Sequence, residues 1–256
     1  MIGGLILLPA AWRDALLDEA FVTFRYASHL SAGQGLVYNP GEAIEGFDSL
    51  LWTMLIALGI HLGLEASWIP QLLGIVCNVL LALTTFLFAR RHLQHSPFVA
   101  LIAPMMLVAN LNVGAWVAHG LATPLLSLLM MLGLVASSKS PSQRPSPQLR
   151  ALVAGSALAL AVATAVEGLL FMALVVVFRT VHAVRRRHIS RDDLAFLLSG
   201  PVPICLLVGW RLHHYGRWLP APFYARADAI GDVGRGAAYL MRFFNESLAF
   251  GIVLIP

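Results

Sequence analysis

Residues 68–92 of the chain read WIPQLLGIVCNVLLALTTFLFARRH. No charged residue interrupts this run before Arg90, and Arg90, Arg91 and His92 close it in succession. About 20 consecutive apolar residues cross the hydrocarbon core of a bilayer as a helix, and basic residues beside a span mark its cytoplasmic end. The stretch therefore predicts a membrane-spanning helix whose last residues face the cytoplasm.

The composition extends this prediction to the whole chain. Of its 256 residues, 59% are hydrophobic and 12% are charged, and the mean hydropathy is +0.78. Soluble domains carry about 25% charged residues. We therefore predict an all-α, polytopic helical membrane protein. The same composition excludes a disordered chain, a collagen-like repeat and a disulfide-stapled secreted domain.

The net charge of +4 does not indicate a nucleic-acid partner, because the basic residues lie in linkers beside apolar runs. Cys77 and Cys205 each stand alone inside an apolar run, so we expect both to be small buried hydrophobic residues. No cluster of histidine, cysteine or carboxylate residues has the spacing of a metal site, and no metal ligand is assigned.

Nine apolar runs predict about seven to eight spans plus external juxtamembrane helices: 1–12, 47–64, 68–89, 97–110, 121–137, 151–164, 168–184, 194–210 and 247–256. The first run lacks the basic flank and the cleavage site of a signal peptide. It and the last run are too short for complete spans. We therefore expect the chain, a single transmembrane domain over 1–256, to be part of a longer protein.

Basic linkers at 90–92, 139–150 and 185–191 are assigned to the cytoplasm, which leaves 13–67 and 211–246 as external loops. Each span moves the chain to the opposite side of the membrane. Since both ends of 13–67 are assigned to the outside, the run 47–64 within it is not a simple span, and we predict an interfacial or re-entrant helix. The second loop contains arginines that the orientation rule disfavours outside. An anionic ligand such as a phosphate would explain them, and a basic loop without a ligand is the alternative. These arginines are Arg211, Arg217, Arg226 and Arg242.

The first external loop opens with Asp18-Glu19, followed by a helical pattern through residue 30 that Gly33 and Gly35 end. A turn follows at 39–41. Ionised carboxylates are favoured at the positive end of a helix, where they can serve as bases. The alternative for Asp18-Glu19 is a purely structural N-cap pair.

Residues 17–47 resemble the first external loop of bacterial membrane glycosyltransferases of the GT-C superfamily. That loop opens with Asp-Asp or Asp-Glu and continues as T-F-R-Y-A, G-x-G-L-V-x-N-P-G-E and E-G-Y. Three later segments are similar to family motifs: HGLATP at 119–124, TAVEG at 164–168 and HYGRWLPAPFYAR at 214–226. The most similar subgroup includes polyprenyl-phosphate-dependent arabinosyl- and mannosyl-type transferases.

The resemblance implies transfer of a sugar from a polyprenyl-phosphate donor to an extracytoplasmic glycan or lipid acceptor in cell-envelope biosynthesis. The protein would lie in the bacterial inner membrane, with its active site facing the periplasm or the exterior. Asp18 would be the base, Glu19 would orient the acceptor or replace Asp18, and an arginine of 211–226 would hold the leaving phosphate. The implied substrate-binding residues are Arg25, Tyr26, Glu42, Glu45, His119, Glu167, Tyr215, Arg217, Tyr224 and Arg226.

Ordinary structural explanations stay open for several of these residues. Glu42 and Glu45 are surface acids by default, and Glu167 and His119 would also fit loops between spans without a role in binding. Tyr26, Tyr38 and Trp52 could stack on a sugar or belong to the aromatic belt of the membrane interface.

The chain departs from the family pattern where polar residues are replaced by Ala122, Ala165-Val166 and Ala221-Pro222. Two other functions therefore stay open. One is a catalytically inactive family member that acts as a lipid-glycan binding or accessory subunit, and the other is a transporter or flippase of a lipid-linked sugar. The sequence does not determine the sugar, the acceptor or a requirement for a divalent ion.

Overall fold

The computed structural model describes residues 16–91, 94–138, 146–229, 234, 236–238 and 240–242. Its main elements are helices, and the described residues contain no strand, which confirms the predicted all-α class for this part of the chain. The helices are α1 (Asp18–Ser31), α2 (Leu50–His61), α3 (Ile69–Arg91), α4 (Pro97–Ala109), α5 (Leu111–Ala118), α6 (Thr123–Ser137), α7 (Pro147–Thr164), α8 (Gly168–Arg186), α9 (Arg191–Ser199), α10 (Pro201–Tyr215) and α11 (Ala221–Ala229).

Four segments of the described chain are long and apolar enough to cross a membrane: α3, α7, α8 and the α9–α10 pair. A fifth span is possible where α4 and α5 meet at a bend of 52°. The prediction of seven to eight spans is therefore too high for the described residues. Helix α6 has 15 residues, about 22 Å, which is shorter than a hydrocarbon core of about 30 Å. The runs 1–12 and 247–256 lie outside the described residues.

Helix α2 is apolar but has only 12 residues, about 18 Å, which is too short to cross a bilayer. Ser49 begins it by accepting a hydrogen bond from the backbone N–H of Trp52 at 3.3 Å. Helix α2 packs on α1 and also contacts α7. This short helix lies within the predicted run 47–64, and its interfacial or re-entrant placement stays a prediction.

Helix α7 is the centre of the bundle, since α2, α6, α8, α9 and α10 all pack against it. Alanines at positions 151, 154, 157 and 161 are buried along it, and such small residues allow helices to approach closely. Gly155 shows how close the approach is. A Cβ atom there would overlap Ser199 Oγ and lie 2.8 Å from the carbonyl oxygen of Phe196. The small residues of α7 therefore decide how tightly α9 packs.

The two cysteines differ in their surroundings. Cys77 is buried, as expected, but Cys205 is exposed, so the expectation for Cys205 was wrong. Its neighbour Ile204 takes the buried position on α10. Adjacent helical residues point about 100° apart, so Cys205 lies on an outer face of this apolar helix. Hydropathy alone does not distinguish that face from the core.

Candidate functional site

A cavity with a volume of about 700 Å³ lies among the described residues. We call it the four-segment cavity because four separated stretches of the chain, 19–52, 120–126, 164–167 and 220–225, contribute to its lining. Its lining comprises residues 19, 20, 22 and 23 of α1, residues 46–49 and 52, residues 120–123 and 126, residues 164–167, and residues 220, 222, 223 and 225. The segments that carry the four sequence motifs therefore meet in space.

The N-termini of three helices, α1, α6 and α8, lie at the wall of this cavity. Glu19 lies in the first turn of α1, Thr123 is the first residue of α6, and Glu167 immediately precedes α8. The N-terminus of a helix carries unpaired backbone N–H groups and a partial positive charge. At α1, α6 and α8 no side chain caps these groups, whereas serines cap α2, α4, α7 and α9. The uncapped N–H groups suit anionic or hydroxyl-rich ligands.

Three acidic side chains line the cavity: Glu19, Asp48 and Glu167. No lysine, arginine or histidine is among its described lining residues. Asp18 is also absent from the lining, because successive residues of a helix point about 100° apart. Helix α1 thus directs Glu19, and not Asp18, toward the cavity.

Asp48 and Trp52 are two notable lining residues outside the predicted site set, although the sequence had suggested Trp52 as a residue that could stack on a sugar. Asp48 directly follows the 17–47 motif, and this adjacency was the available signal. Trp52 is 2% exposed, and its indole Nε1–H donates to the carbonyl oxygen of Gly120 at 3.0 Å. This bond joins α2 to the turn before α6, so Trp52 fixes two walls of the cavity relative to each other.

Glu45 forms a buried ion pair with Arg211, and the Nε of Arg211 lies 2.9 Å from the Oε1 of Glu45. The side chains are 4% exposed for Arg211 and 2% for Glu45, so the default expectation of a surface acid is wrong for Glu45. Burial raises the pKa of Glu45 above its usual value, although the charge of Arg211 and its hydrogen bond oppose this rise. The backbone N–H of Ala221 also donates to the Glu45 carbonyl at 3.0 Å.

This ion pair lies at the start of the second external loop, whose predicted range 211–246 stays a prediction. Arg211 lies inside α10, which continues to Tyr215, so the helix extends past the predicted start of the loop at 211. The guanidinium of Arg211 is engaged by Glu45 and does not line the four-segment cavity. The pair joins the first loop to α10 instead.

Tyr26 is fully buried and holds the backbone that leads to Asp48. Its hydroxyl donates to the carbonyl of Ile44 at 2.7 Å and accepts from the N–H of Gly46 at 2.9 Å. Burial raises the pKa of Tyr26, so the hydroxyl keeps its proton and can donate. A Cβ atom on Gly46 would lie 2.9 Å from this hydroxyl, so glycine allows the close approach.

Arg25 and Glu42 stabilise the turn at 38–42, which contains the predicted 39–41 turn. The Arg25 Nε donates to the Tyr38 carbonyl at 2.8 Å, and its Nη2 donates to Asn39 Oδ1 at 2.9 Å. Its guanidinium carbon lies 4.5 Å from the centroid of the Tyr38 ring. Asn39 Nδ2 donates in turn to Glu42 Oε2 at 3.1 Å. Both charged residues are exposed, and neither lines the cavity.

The remaining predicted binding residues lie outside the cavity lining. Tyr215 donates its hydroxyl to the Leu36 carbonyl at 3.1 Å, and the Arg217 guanidinium carbon lies 5.6 Å from the Tyr224 ring centroid. His119 is the C-cap of α5, next to the lining residue Gly120. The side chain of Arg226 is outside the part of the chain that the structure describes. Of the twelve predicted site residues, Glu19 and Glu167 line the cavity.

No metal centre is evident in the described ranges, because they contain no group of three His, Cys, Asp or Glu side chains placed to hold an ion. Three departures from the resembled family do face the cavity: Ala122, Ala165-Val166 and Pro222. The cavity therefore combines three carboxylates with apolar walls.

The chain is 28% identical over 260 residues to the terminal beta-(1->2)-arabinofuranosyltransferase of Mycobacterium tuberculosis. The alignment covers 95% of this chain and 40% of that relative, so the chain spans less than half of the relative's length. No protein-family model and no solved structure gives a significant match. The similarity supports a relationship to glycosyltransferases.

Proposed function

We propose that this membrane protein transfers a sugar from a polyprenyl-phosphate donor to an extracytoplasmic glycan or lipid acceptor in cell-envelope biosynthesis. The observation that carries the proposal is the four-segment cavity, since motifs up to about 200 residues apart in sequence line one cavity. The similar arabinofuranosyltransferase supports a pentose as the transferred sugar. The proposed setting is the bacterial inner membrane, with the cavity facing the periplasm or the exterior.

Glu19 is the base in this proposal, because it lines the cavity and Asp18 does not. The acceptor hydroxyl gives its proton to the Glu19 carboxylate while its oxygen bonds to the anomeric carbon of the donor sugar. The bond from that carbon to the phosphate oxygen breaks, and polyprenyl phosphate leaves with the electron pair. Asp48 and Glu167 accept hydrogen bonds from sugar or acceptor hydroxyls.

The leaving phosphate needs positive charge that the cavity lining does not supply through a side chain. The uncapped N-termini of α6 and α8 provide backbone N–H groups and the positive ends of helix dipoles. Arg217 lies three residues before the lining residue Pro220 and is exposed, so it is the cation that we assign to the phosphate. Arg211 is excluded from this role by its pairing with Glu45.

A non-catalytic role is the second candidate, and a specific observation favours it. Ala122, Ala165-Val166 and Pro222 replace polar family residues on the cavity wall itself. A protein with these walls could bind a lipid-linked glycan and present it to another enzyme. A transporter of the same lipid-linked sugar is the third candidate.

One assay separates these functions. The purified protein is reconstituted into vesicles with a radiolabelled polyprenyl-phosphate pentose or hexose and an oligosaccharide acceptor. Label in the acceptor supports the transferase, whereas saturable binding without transfer supports the accessory role. Movement of the intact donor between leaflets supports transport.

The proposed orientation has its own test. Glu65 follows α2 and is exposed. A cysteine in its place, in a chain lacking the two native cysteines, should react with a membrane-impermeant thiol reagent added outside intact cells. Labelling that requires permeabilised cells would contradict the external assignment of 13–67.

A further inference from the structure

A second cavity of about 420 Å³ lies between α8 and α9. We call it the basic cavity and define it by Arg179, Val184, Arg187, His188, Asp193 and Leu197, which all line it. Both α8 and α9 pack against α7, but their backbones stay apart, and long side chains such as Arg179 and Asp193 bridge the space between them. A groove therefore stays open along the surface of the bundle.

The basic cavity lies far from the four-segment cavity. Helix α8 begins beside Glu167, a lining residue of the four-segment cavity, and ends at Arg186 near the basic cavity. Its 19 residues rise by about 28 Å, close to the thickness of a hydrocarbon core. Helix α8 is long and apolar enough to cross a membrane, and the proposed topology therefore has the two cavities near opposite surfaces of the bilayer. The basic cavity is thus at the depth of lipid headgroups.

The charges around the basic cavity are unbalanced. Asp193 is shared by two guanidiniums, with Arg179 Nη1 at 3.5 Å and Arg186 Nη2 at 2.9 Å. Arg187 lines the cavity and forms no ion pair with any acidic residue that the structure describes. This end of the bundle carries more arginines than aspartates: Arg179, Arg185, Arg186, Arg187 and Arg191 against Asp192 and Asp193. The excess positive charge favours the binding of an anionic ligand.

The apolar part of the cavity lining indicates that the anion also carries a hydrocarbon chain. Val184, Leu194 and Leu197 line the basic cavity, and each is about half exposed or more. A free phosphate ion would cover none of this apolar surface. A glycerophospholipid can place its phosphate beside Arg187 and His188 and its acyl chain along these side chains.

We propose that the basic cavity binds the headgroup of an anionic glycerophospholipid of the surrounding bilayer. Arg187 and His188 contact the phosphate, and Asp193 holds Arg179 in place on the cavity wall, while Arg186 pairs with Asp193 from outside the lining. The three carboxylates proposed above for sugar transfer, Glu19, Asp48 and Glu167, line the other cavity and play no part in this binding. The proposal therefore stands or falls independently of the proposed sugar transfer.

Native mass spectrometry of the purified protein tests the site with synthetic phosphatidylglycerol and phosphatidylcholine at equal concentrations. We expect tighter binding of phosphatidylglycerol by the wild-type protein. Arg187→Gln should weaken that binding about fivefold, the effect of one cation near an anionic headgroup. Arg185→Gln is the matched control. It removes the same charge only two residues from Arg187, but the Arg185 side chain does not line the cavity. It should leave the affinity unchanged.

His188→Gln provides a second variant at the rim, and equal thermal unfolding of all variants in phosphatidylcholine confirms their folding. Equal affinity of the wild-type protein for the two lipids would overturn the proposal. An equal loss in Arg185→Gln and Arg187→Gln would also overturn it, because the attraction would then be diffuse. Tighter binding of polyprenyl phosphate, lost in Arg187→Gln, would assign the cavity to the lipid carrier instead.

Discussion

The Tyr26 hydroxyl offers a quantitative test of how the first loop is held. Tyr26→Phe removes the donor to Ile44 at 2.7 Å and the acceptor for Gly46 at 2.9 Å. Leaving buried polar groups without partners costs about 1–3 kcal/mol each, and both groups here are partly buried, so we expect a loss of about 2–4 kcal/mol. For a protein of this size, that loss lowers the melting temperature by about 5–15 °C.

The assay is thermal unfolding in detergent, with tryptophan fluorescence as the readout. Tyr38→Phe is the matched control, because the Tyr38 ring is partly exposed and its hydroxyl forms no hydrogen bond with a described residue. Its melting temperature should stay within about 1–2 °C of the wild-type value, as for most surface substitutions. If Tyr26→Phe melts at the same temperature as Tyr38→Phe, the hydroxyl does not hold the loop and the reasoning is refuted.

Three further predictions concern other contacts. Arg211→Met removes the charge that opposes the raised pKa of Glu45. An acid whose pKa is raised on folding loses its stabilising contribution as the pH rises, so unfolding at pH 4 and pH 8 should show a larger deficit for Arg211→Met at pH 8. A deficit independent of pH would contradict this. Trp52→Phe removes the bond to Gly120 and should cost about 1 kcal/mol, measured by chemical denaturation against Trp218→Phe, which changes an exposed ring. Gly155→Ala should destabilise the protein by about 1–3 kcal/mol through overlap with Ser199, and unchanged stability would show that α9 can move away.

Local patterns in the sequence predict the helices well where one chemical signal dominates. The uncharged run before Arg90 becomes α3 almost residue for residue, and the pattern after Asp18 becomes α1. The number of spans is predicted less well, since hydropathy marks an apolar run but not the point at which its helix ends. Helix α6 begins only at Thr123 and is too short to cross alone.

The candidate site is predicted only in part, because burial depends on contacts distant in sequence. The sequence around Glu45 is that of an ordinary loop acid, and only the fold brings Arg211 of α10, 166 residues later, beside it. The sequence does not distinguish the roles of Asp18 and Glu19, and only the packing of α1 directs Glu19 into the cavity. Motif resemblance identifies the right segments, while the fold selects the side chains within them.

The most direct test of the proposed function compares Glu19→Gln with Asp18→Asn in the labelled-sugar transfer assay. The two variants remove one negative charge each from adjacent positions, so they control for each other. Loss of a general base lowers the rate by about 10²–10⁴-fold, and we predict that loss for Glu19→Gln with most of the activity kept in Asp18→Asn. Full transfer by Glu19→Gln would contradict the assignment of the four-segment cavity as the site of glycosyl transfer.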